Sequence, residues 1–169
     1  MSESNLLKVD PLLDGVQPST TPVSREAMEL AEFIKDRSHS LVDRIESYQD
    51  IISLEIGDTP LTRMRNVERE TGLRQLYIKF EGGNPSGTQK DRIAFAQCLD
   101  AMRRGYDTIS VATCGNFGAA TAQAAFLAGL HCKVFIPETY HTDRISEMAS
   151  YGAEVIRFPG SYEDNVYHS

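Results

Sequence analysis

The C-terminal part of the chain alternates between short strand-like and longer helix-like segments, and this alternation limits the possible folds more than any other feature. Short apolar runs that end at turn-forming residues predict strands at 108–112, 131–136 and 154–158. Between them, residues 115–128 and 142–151 have the pattern of helices that end at glycines. Strands that alternate with helices of this length form a parallel sheet with right-handed crossovers. We therefore expect an α/β fold with a parallel sheet and helices on both faces.

The N-terminal part of the chain carries no signal of chemistry. Residues 1–20 are polar, with scattered proline and glycine, and we expect them to form an irregular arm. The pair Thr21-Pro22 predicts the start of a helix, because proline is tolerated in the first helical turn. Apolar residues then recur at helical spacing up to about residue 50, and Ser38–Ser40 can divide this stretch into two helices.

A loop dense in turn-forming residues connects these helices to the alternating part of the chain. A strand is predicted at 76–80 and the loop at 81–87, after which Thr88 can cap a helix that ends at Gly105. The apolar side of that helix is predicted to comprise Ile93, Ala96, Leu99 and Met102.

Charge and composition exclude several classes of function. The net charge of −7 and the lack of a basic cluster argue against a nucleic-acid-binding protein. No apolar run reaches the length of about 20 residues that a membrane span needs, and the N-terminus lacks the pattern of a secretory signal. Cys98, Cys114 and Cys132 are odd in number and have no CxxC spacing, which argues against disulfides and metal sites. These features favour a cytoplasmic location.

Lys90 is the first candidate for chemistry, because it follows the glycine-containing loop in the first turn of a predicted helix. The partial positive charge of a helix N-terminus disfavours the charged form of a lysine there. A neutral lysine amine is what Schiff-base formation with an aldehyde requires. The alternative interpretation is that Lys90 and Arg92 lie on a solvated helix face, and this segment alone does not decide between the two.

A second candidate is the segment Thr113-Cys114-Gly115-Asn116-Phe117-Gly118, which joins a predicted strand to a predicted helix. Two glycines allow a tight turn and expose N–H groups at a helix N-terminus, which favours the binding of an anion such as a carboxylate. The spacing is not GxGxxG, so a dinucleotide is not indicated. The alternative is an ordinary strand-to-helix turn in which Asn116 adopts a left-handed conformation. A nucleophilic role for Cys114 is disfavoured, because no histidine lies at a recognisable spacing.

Together these segments resemble the fold-type II pyridoxal phosphate (PLP) enzymes, the family of the tryptophan synthase β-subunit. The resemblance extends from about Ile52 to Tyr167, and its motifs occur in the order that the family has. They are Gly57-Asp58-Thr59-Pro60-Leu61, Tyr77-Ile78-Lys79-Phe80-Glu81, Asn84-Pro85-x-Gly87-x-x-Lys90-Asp91-Arg92 and Gly115-Asn116-x-Gly118. Within the family, the residues around Lys90 and after Gly115 are most similar to those of threonine synthase.

The resemblance implies a role for each matching residue. Lys90 would carry pyridoxal 5′-phosphate as a Schiff base and then act as the proton-transfer base. Asn116 would hydrogen-bond the phenolic oxygen of the cofactor, and residues 113–118 would receive the α-carboxylate of the substrate. Gln89 and Cys114 depart from the residues expected at their positions, and since both are expected to line the pocket, they leave the exact substrate open.

The resemblance also implies a division of the chain. Residues 1–50 would form the arm and N-terminal helices, residues 51–92 the first part of the large PLP domain, and residues 93–169 the small α/β domain, cut in its last helix. The glycine-rich loop for the cofactor phosphate and the partner of the pyridine nitrogen, both expected in the second half of family members, do not occur in the sequence. We therefore expect a second polypeptide to supply the phosphate loop, and we expect the protein to form an oligomer.

The expected function is that of a PLP-dependent lyase acting on a small amino acid. The leading candidate is a threonine synthase, which converts O-phosphohomoserine to threonine and phosphate. The alternatives are a β-replacement enzyme similar to cysteine or diaminopropionate synthase, a threonine or serine dehydratase, and a catalytically silent regulatory module.

Overall fold

A computed structural model of the protein describes residues 23–113, 115–160 and 162–168, the side chains of three residues in the last segment excepted. The predicted arm at 1–20 and the predicted helix start at Thr21-Pro22 therefore lie outside the described residues. The helices are α1 (Arg25–Lys35), α2 (Leu41–Glu55), α3 (Arg65–Thr71), α4 (Lys90–Arg103), α5 (Asn116–Ala128), α6 (Ile145–Ser150) and α7 (Tyr162–His168). The strands are β1 (Leu61–Arg63), β2 (Tyr77–Lys79), β3 (Thr108–Ala112), β4 (His131–Pro137) and β5 (Glu154–Phe158).

The parallel sheet has the order β3-β4-β5, which confirms the predicted α/β fold. Thr108 lies opposite His131 in the first pair of strands, and Lys133 lies opposite Glu154 in the second. Helix α5 connects β3 to β4 and packs on both, while α6 connects β4 to β5. Helix α7 also contacts β3 and β4.

Helix α5 is the centre of the hydrophobic core. Ten of its residues are buried, and eight of these are small, which allows α1 and α4 to approach it closely. Tyr48 on α2 reaches into the same core, where its hydroxyl donates a hydrogen bond to the carbonyl oxygen of Ala124 at 3.2 Å. The Tyr48 ring stacks on Phe95 of α4 with 6.0 Å between ring centroids. The region around α5 is thus a packed core built from the sheet and the helices α1, α2, α4, α5 and α6.

The two N-terminal helices are separate, as the sequence predicts. Ser24 and Ser40 cap them, since their side chains accept hydrogen bonds from the backbone N–H groups of Ala27 and Asp43. Residues 51–55, which the sequence shows only as a short apolar stretch, form the last turns of α2.

The predicted apolar side of α4 is largely wrong. Ile93 is 47% exposed and Ala96 is also exposed, while Leu99 is only partly buried. The buried residues of α4 are Asp91, Ala94, Phe95, Cys98, Ala101 and Met102. A helix that carries apolar residues on more than one side does not reveal from its periodicity which side faces the core.

Strands β1 and β2 form a separate two-stranded antiparallel ribbon in which Leu61 pairs with Lys79. Strand β2 confirms the strand predicted at 76–80, whereas β1 and α3 were not predicted. All residues of both strands are exposed, among them three large apolar side chains: Leu61, Tyr77 and Ile78. A two-stranded ribbon without a covered face is marginally stable in water.

Neither membrane-spanning helices nor metal clusters occur among the described residues. The described helices are too short or too polar to cross a bilayer. No group of three or more histidine, cysteine or acidic side chains in the described ranges could hold a metal ion. Cys98 and Cys132 are free thiols, and burial raises the pKa of each to about 12.

Candidate active site

An open cleft of about 790 Å³ lies where the N-termini of α4 and α5 meet the segment that follows β4. The cleft is lined by five of the residues predicted from the sequence, namely Lys90, Thr113, Gly115, Asn116 and Phe117. Cys114 lies outside the described residues. Gly118 does not line the cleft but is buried in the first turn of α5. The structure therefore brings the two candidate segments of the sequence together at one site.

Lys90 is the first residue of α4 and is half buried at the edge of the cleft. Its backbone N–H donates a hydrogen bond to Oγ1 of Thr88 at 3.1 Å, so Thr88 satisfies a helix-terminal donor as predicted. Gln89 occupies the cap position but makes no side-chain cap hydrogen bond. It is exposed and does not line the cleft, so the expectation that Gln89 shapes the pocket is wrong.

The loop before Lys90 is fixed to α4 by a buried carboxylate. Oδ2 of Asp91 accepts hydrogen bonds from the backbone N–H of Ser86 at 3.1 Å and from its hydroxyl at 2.8 Å. Burial raises the pKa of Asp91, although the hydrogen bonds from Ser86 and Thr88 and the positive charge of Arg144 act in the opposite direction. Asp91 therefore positions the chain on both sides of the candidate lysine.

A polar clamp of Arg92, Glu81, Asn84 and Thr59 joins α4 to the ribbon. Arg92 donates to the two carboxylate oxygens of Glu81 at 2.7 and 3.0 Å, and Asn84 donates to the same carboxylate at 3.0 Å. Thr59 donates to Glu81 at 3.1 Å and accepts from Arg92 at 3.3 Å. Hydrogen bonds from Arg92 are the main reason why the pKa of Glu81 falls to about 2. Arg92 lies on an exposed face of α4, as the alternative interpretation holds, but its guanidinium is bound within this clamp.

Helix α5 begins at the cleft without a side-chain cap, because Gly115 occupies its cap position. Its first N–H groups are consequently available to an anion in the cleft. Gly118 in the first turn has no room for a side chain, since a Cβ atom there would lie 2.6 Å from Cγ2 of Thr113 and 2.8 Å from Cε of Met148. The close approach of α5 to the end of β3 depends on this glycine.

The cleft is completed by residues 140–144, which sequence reasoning missed. His141 is exposed and lines the cleft. In open parallel sheets, ligands bind outside the carboxyl ends of the strands. The segment after β4 satisfies this rule and lies beside the segment after β3. This positional rule is the one feature from which residues 140–144 could have been predicted as part of the cleft.

The residues of the cleft fit the cofactor that the resemblance implies. Lys90 supplies a primary amine that can condense with an aldehyde. Oδ1 of Asn116 already accepts a hydrogen bond from Arg144 at 2.9 Å, so Nδ2 of Asn116 is left to donate to a phenolic oxygen. The uncapped start of α5 suits a carboxylate.

Comparisons with known proteins agree with this geometry. A family model described as "Pyridoxal-phosphate dependent enzyme" matches residues 52–168. The threonine synthase of Methanocaldococcus jannaschii is 35% identical over 71% of this chain, and the cysteine synthase B of Salmonella typhimurium is 37% identical over 60% of it. The crystal structure of a pyridoxal 5′-phosphate-dependent aspartate racemase covers 73% of this chain at 30% identity, with a TM-score of 0.63.

The chain spans only about a third of these relatives. The matched part covers 30% of the threonine synthase, 34% of the cysteine synthase and 40% of the racemase. The matched region nevertheless contains Lys90 and the whole of the described cleft.

Proposed function

The chain belongs to the pyridoxal-phosphate dependent enzymes, and from this premise we propose that Lys90 is the residue that holds pyridoxal 5′-phosphate covalently through its aldehyde. The observation that carries the proposal is the position of Lys90 in one cleft with Asn116 and the uncapped start of α5. A lysine amine, a side-chain amide donor and a helix N-terminus are three different donors that converge there. PLP with an amino-acid substrate presents an aldehyde, a phenolic oxygen and a carboxylate to match them.

Each residue of the cleft has a proposed task in the reaction. When bound, the cofactor supplies an electron sink for the bond that breaks at Cα of the substrate. Nδ2 of Asn116 would donate to the phenolic oxygen, and the start of α5 would receive the α-carboxylate of the substrate. The amine of Lys90, when free, would accept the proton from Cα of the substrate. Thr88 and Asp91 hold the loop that places Lys90 for this step.

We propose a lyase reaction on a small amino acid, with threonine synthase activity on O-phosphohomoserine as the leading candidate. The presence of threonine synthases among the relatives supports it. Cysteine synthases and cystathionine β-synthases match at similar identity, and they favour β-replacement as the second candidate. Both reactions use the same cleft residues of this chain, so the difference between them depends on contacts to the substrate side chain.

We further propose that a second polypeptide completes the site and supplies the phosphate loop. Exposed apolar side chains at the ribbon support this, because Leu61 is 63% exposed, Phe80 61% and Tyr77 50%. Clusters of this kind mark surfaces that bind another protein. The proposed partner is a polypeptide that carries the glycine-rich phosphate loop, and the proposed complex is cytoplasmic and oligomeric.

Hydrogen exchange tests the proposed partner surface. We expect the backbone amides of β2 to exchange more slowly when the polypeptide that carries the phosphate loop is added, because the ribbon becomes covered. The amides of β4 serve as the internal control, since they are already protected within the parallel sheet. Equal exchange at β2 with and without the added polypeptide would contradict the proposed surface.

A screen of substrates tests the proposed reaction. The chain and its partner are incubated with PLP and either O-phosphohomoserine or O-acetylserine plus sulfide, while phosphate release and cysteine formation are measured. Phosphate release together with threonine supports the leading candidate, and cysteine formation supports the second. Turnover of neither substrate, in a sample that binds PLP, excludes both and points to a regulatory module.

A further inference from the structure

We infer that Arg144 is a positioning residue that orients the side-chain amide of Asn116 and ties it to the loop before Lys90. Arg144 lies in the cap position of α6 with a side chain that is 22% exposed, and it also lines the cleft. No sequence motif pointed to it. The inference deepens the proposed function, on which its role toward the cofactor depends.

The guanidinium of Arg144 contacts three separate segments of the chain. Nη1 donates to Oδ1 of Asn116 at 2.9 Å, and Nη2 donates to the carbonyl oxygen of Ser86 at 2.8 Å. Nε and Nη2 donate to the two carboxylate oxygens of Glu147 at 2.7 and 2.8 Å. The bidentate pair with Glu147 fixes the plane of the guanidinium, so that its other edge faces Asn116 and Ser86.

The contact with Asn116 determines which end of the amide faces the cofactor. A side-chain amide has an acceptor oxygen and a donor nitrogen of nearly equal size, and only its hydrogen-bond partners select the orientation. With Arg144 beside it, the oxygen points to the guanidinium and Nδ2 remains free to donate. The reverse orientation would place N–H donors against N–H donors. Arg144 therefore ensures that Asn116 offers a donor to a phenolic oxygen.

The contact with Ser86 links the same arginine to the reactive lysine. Ser86 is buried and is bonded through its N–H and hydroxyl to Asp91, the residue after Lys90. Its carbonyl oxygen is bonded to Arg144. One side chain thus holds together the two walls of the cleft that carry Lys90 and Asn116, although these walls belong to different helices.

A lysine at this position would replace the role of Arg144 only in part. Its ammonium group is a point donor, whereas the guanidinium has five N–H groups in a planar fork. A lysine can bond Asn116 or Ser86 but cannot at the same time hold the bidentate pair with Glu147. The variant Arg144→Lys is accordingly expected to show an intermediate effect.

The first test uses the full chain without cofactor. The side-chain amide signals of Asn116 are assigned in a nitrogen-15 NMR spectrum by their loss in Asn116→Ala. We expect these signals to move in Arg144→Met, to move less in Arg144→Lys, and to stay in place in Arg104→Met, which removes an exposed ion pair with Asp100. Unchanged Asn116 signals in Arg144→Met, with the fold intact, would overturn the inference.

The second test uses PLP. The polypeptide proposed to carry the phosphate loop is added if PLP does not bind to the chain alone. A donor to the phenolic oxygen favours the form of the bound cofactor that absorbs in the visible over the near-ultraviolet form. We expect the ratio of the two bands to fall about tenfold in Arg144→Met, the size expected from one charge-assisted hydrogen bond. The ratio should fall at least as far in Asn116→Ala, and the double variant should show no further change, because both act through one contact.

The outcomes separate the inference from the proposed function. An absorption ratio in Arg144→Met equal to that of the unmodified protein, or effects of the two substitutions that multiply, would overturn the positioning role. No visible band in the unmodified protein would overturn the proposed function instead, and the cofactor-free NMR experiment would then still decide whether Arg144 orients Asn116.

Discussion

The core around α5 and the ribbon of β1 and β2 are stabilised in different ways. In the core, Val134, Ile136 and Leu127 have no exposed surface. Small residues on α5 allow α1 and α4 to pack closely against it. In the ribbon, every residue of both strands is exposed. The ribbon is fastened by the polar clamp of Glu81 and Arg92, which joins it to α4. One region is a well-packed hydrophobic core, and the other is an exposed ribbon that hydrogen bonds hold in place.

This difference shows which part of the chain buries its own apolar side chains and which part leaves them exposed. Lys90 lies between the two regions, because α4 packs on α5 with one face and begins at the loop that follows the ribbon. The half of the site that contains Asn116 and Arg144 adjoins this core, because these residues lie at the starts of α5 and α6, which contribute buried residues to it. We therefore expect substitutions of equal chemistry to have very different effects in the two regions.

The largest contrast is expected between two isoleucines on strands. Ile136→Ala in β4 should lower the free energy of unfolding by about 2–5 kcal/mol, because it leaves a cavity at a residue with no exposed surface. Ile78→Ala in β2 should lower it by about 1 kcal/mol or less, because Ile78 is 47% exposed. Urea denaturation of both variants measures the difference. Equal losses would show that the ribbon is packed as tightly as the core.

A second contrast compares two glycines. Gly118→Ala should cost about 1–3 kcal/mol of unfolding free energy, because the added Cβ would lie 2.6 Å from Thr113 in a packed turn. Gly83→Ala near the ribbon should be close to neutral, since the nearest atoms to its Cβ would be at an ordinary 3.5 Å. Thermal unfolding of the pair checks the prediction, and a stable Gly118→Ala variant would mean that Thr113 moves freely.

The polar clamp predicts a pH dependence that the core does not share. The pKa of Glu81 is lowered from 4.5 to about 2 in the folded chain, mainly by hydrogen bonds from Arg92. The unfolded chain therefore takes up this proton first as the pH falls, so the stabilisation is present above about pH 4.5 and is lost as the pH falls towards 2. We expect a shallower loss of thermal stability between pH 5 and about 2 in Glu81→Gln.

Two features qualify that measurement. Glu68 also has a lowered pKa, because Arg63 donates hydrogen bonds to it, so some pH dependence remains in Glu81→Gln. The matched control is Glu29→Gln, which removes an exposed ion pair with Arg25. If Glu81→Gln and Glu29→Gln have the same pH profile, the clamp does not stabilise the ribbon.

The smallest effect is expected at an exposed ion pair outside both regions. Arg104→Met removes a pair with Asp100 in which the side chains are 63% and 60% exposed. Surface pairs of this spacing contribute about 0.3–0.5 kcal/mol, and salt weakens them further. Thermal unfolding at low and high salt should show a small difference that disappears at high salt. A loss above about 1 kcal/mol would indicate a structural role that the contacts do not show.

The sequence predicted the regular elements of the core because periodicity and end signals agree there. The strands at β3, β4 and β5 and the small-residue helix α5 follow directly from such patterns. It predicted the buried side of α4 poorly, since Ile93 and Phe95 lie on nearly opposite sides of the helix and only tertiary packing selects between them. Strand β1 was missed because its three residues are too few to show the alternation of apolar and polar residues that predicts a strand.

The candidate site was predicted in part for a similar reason. Lys90 and Asn116 lie in motifs that are local in sequence, so the resemblance located them. Arg144 is 28 residues from Asn116 and 58 from Ser86, and no local pattern records those contacts. The contacts of Arg92 are likewise not visible in the sequence, because its partners Glu81 and Gly57 are more than ten residues away. Sites built from several loops become visible only when the loops are brought together.

Binding of PLP to Lys90 is the central claim, and absorption spectroscopy tests it most directly. The purified chain is titrated with PLP, alone and together with the polypeptide proposed to carry the phosphate loop, beside the variant Lys90→Ala. We predict a visible absorption band with the pair of polypeptides, a weak band or none with the chain alone, and no band with Lys90→Ala in either sample. A band that persists in Lys90→Ala, or no band in any sample, would contradict the claim.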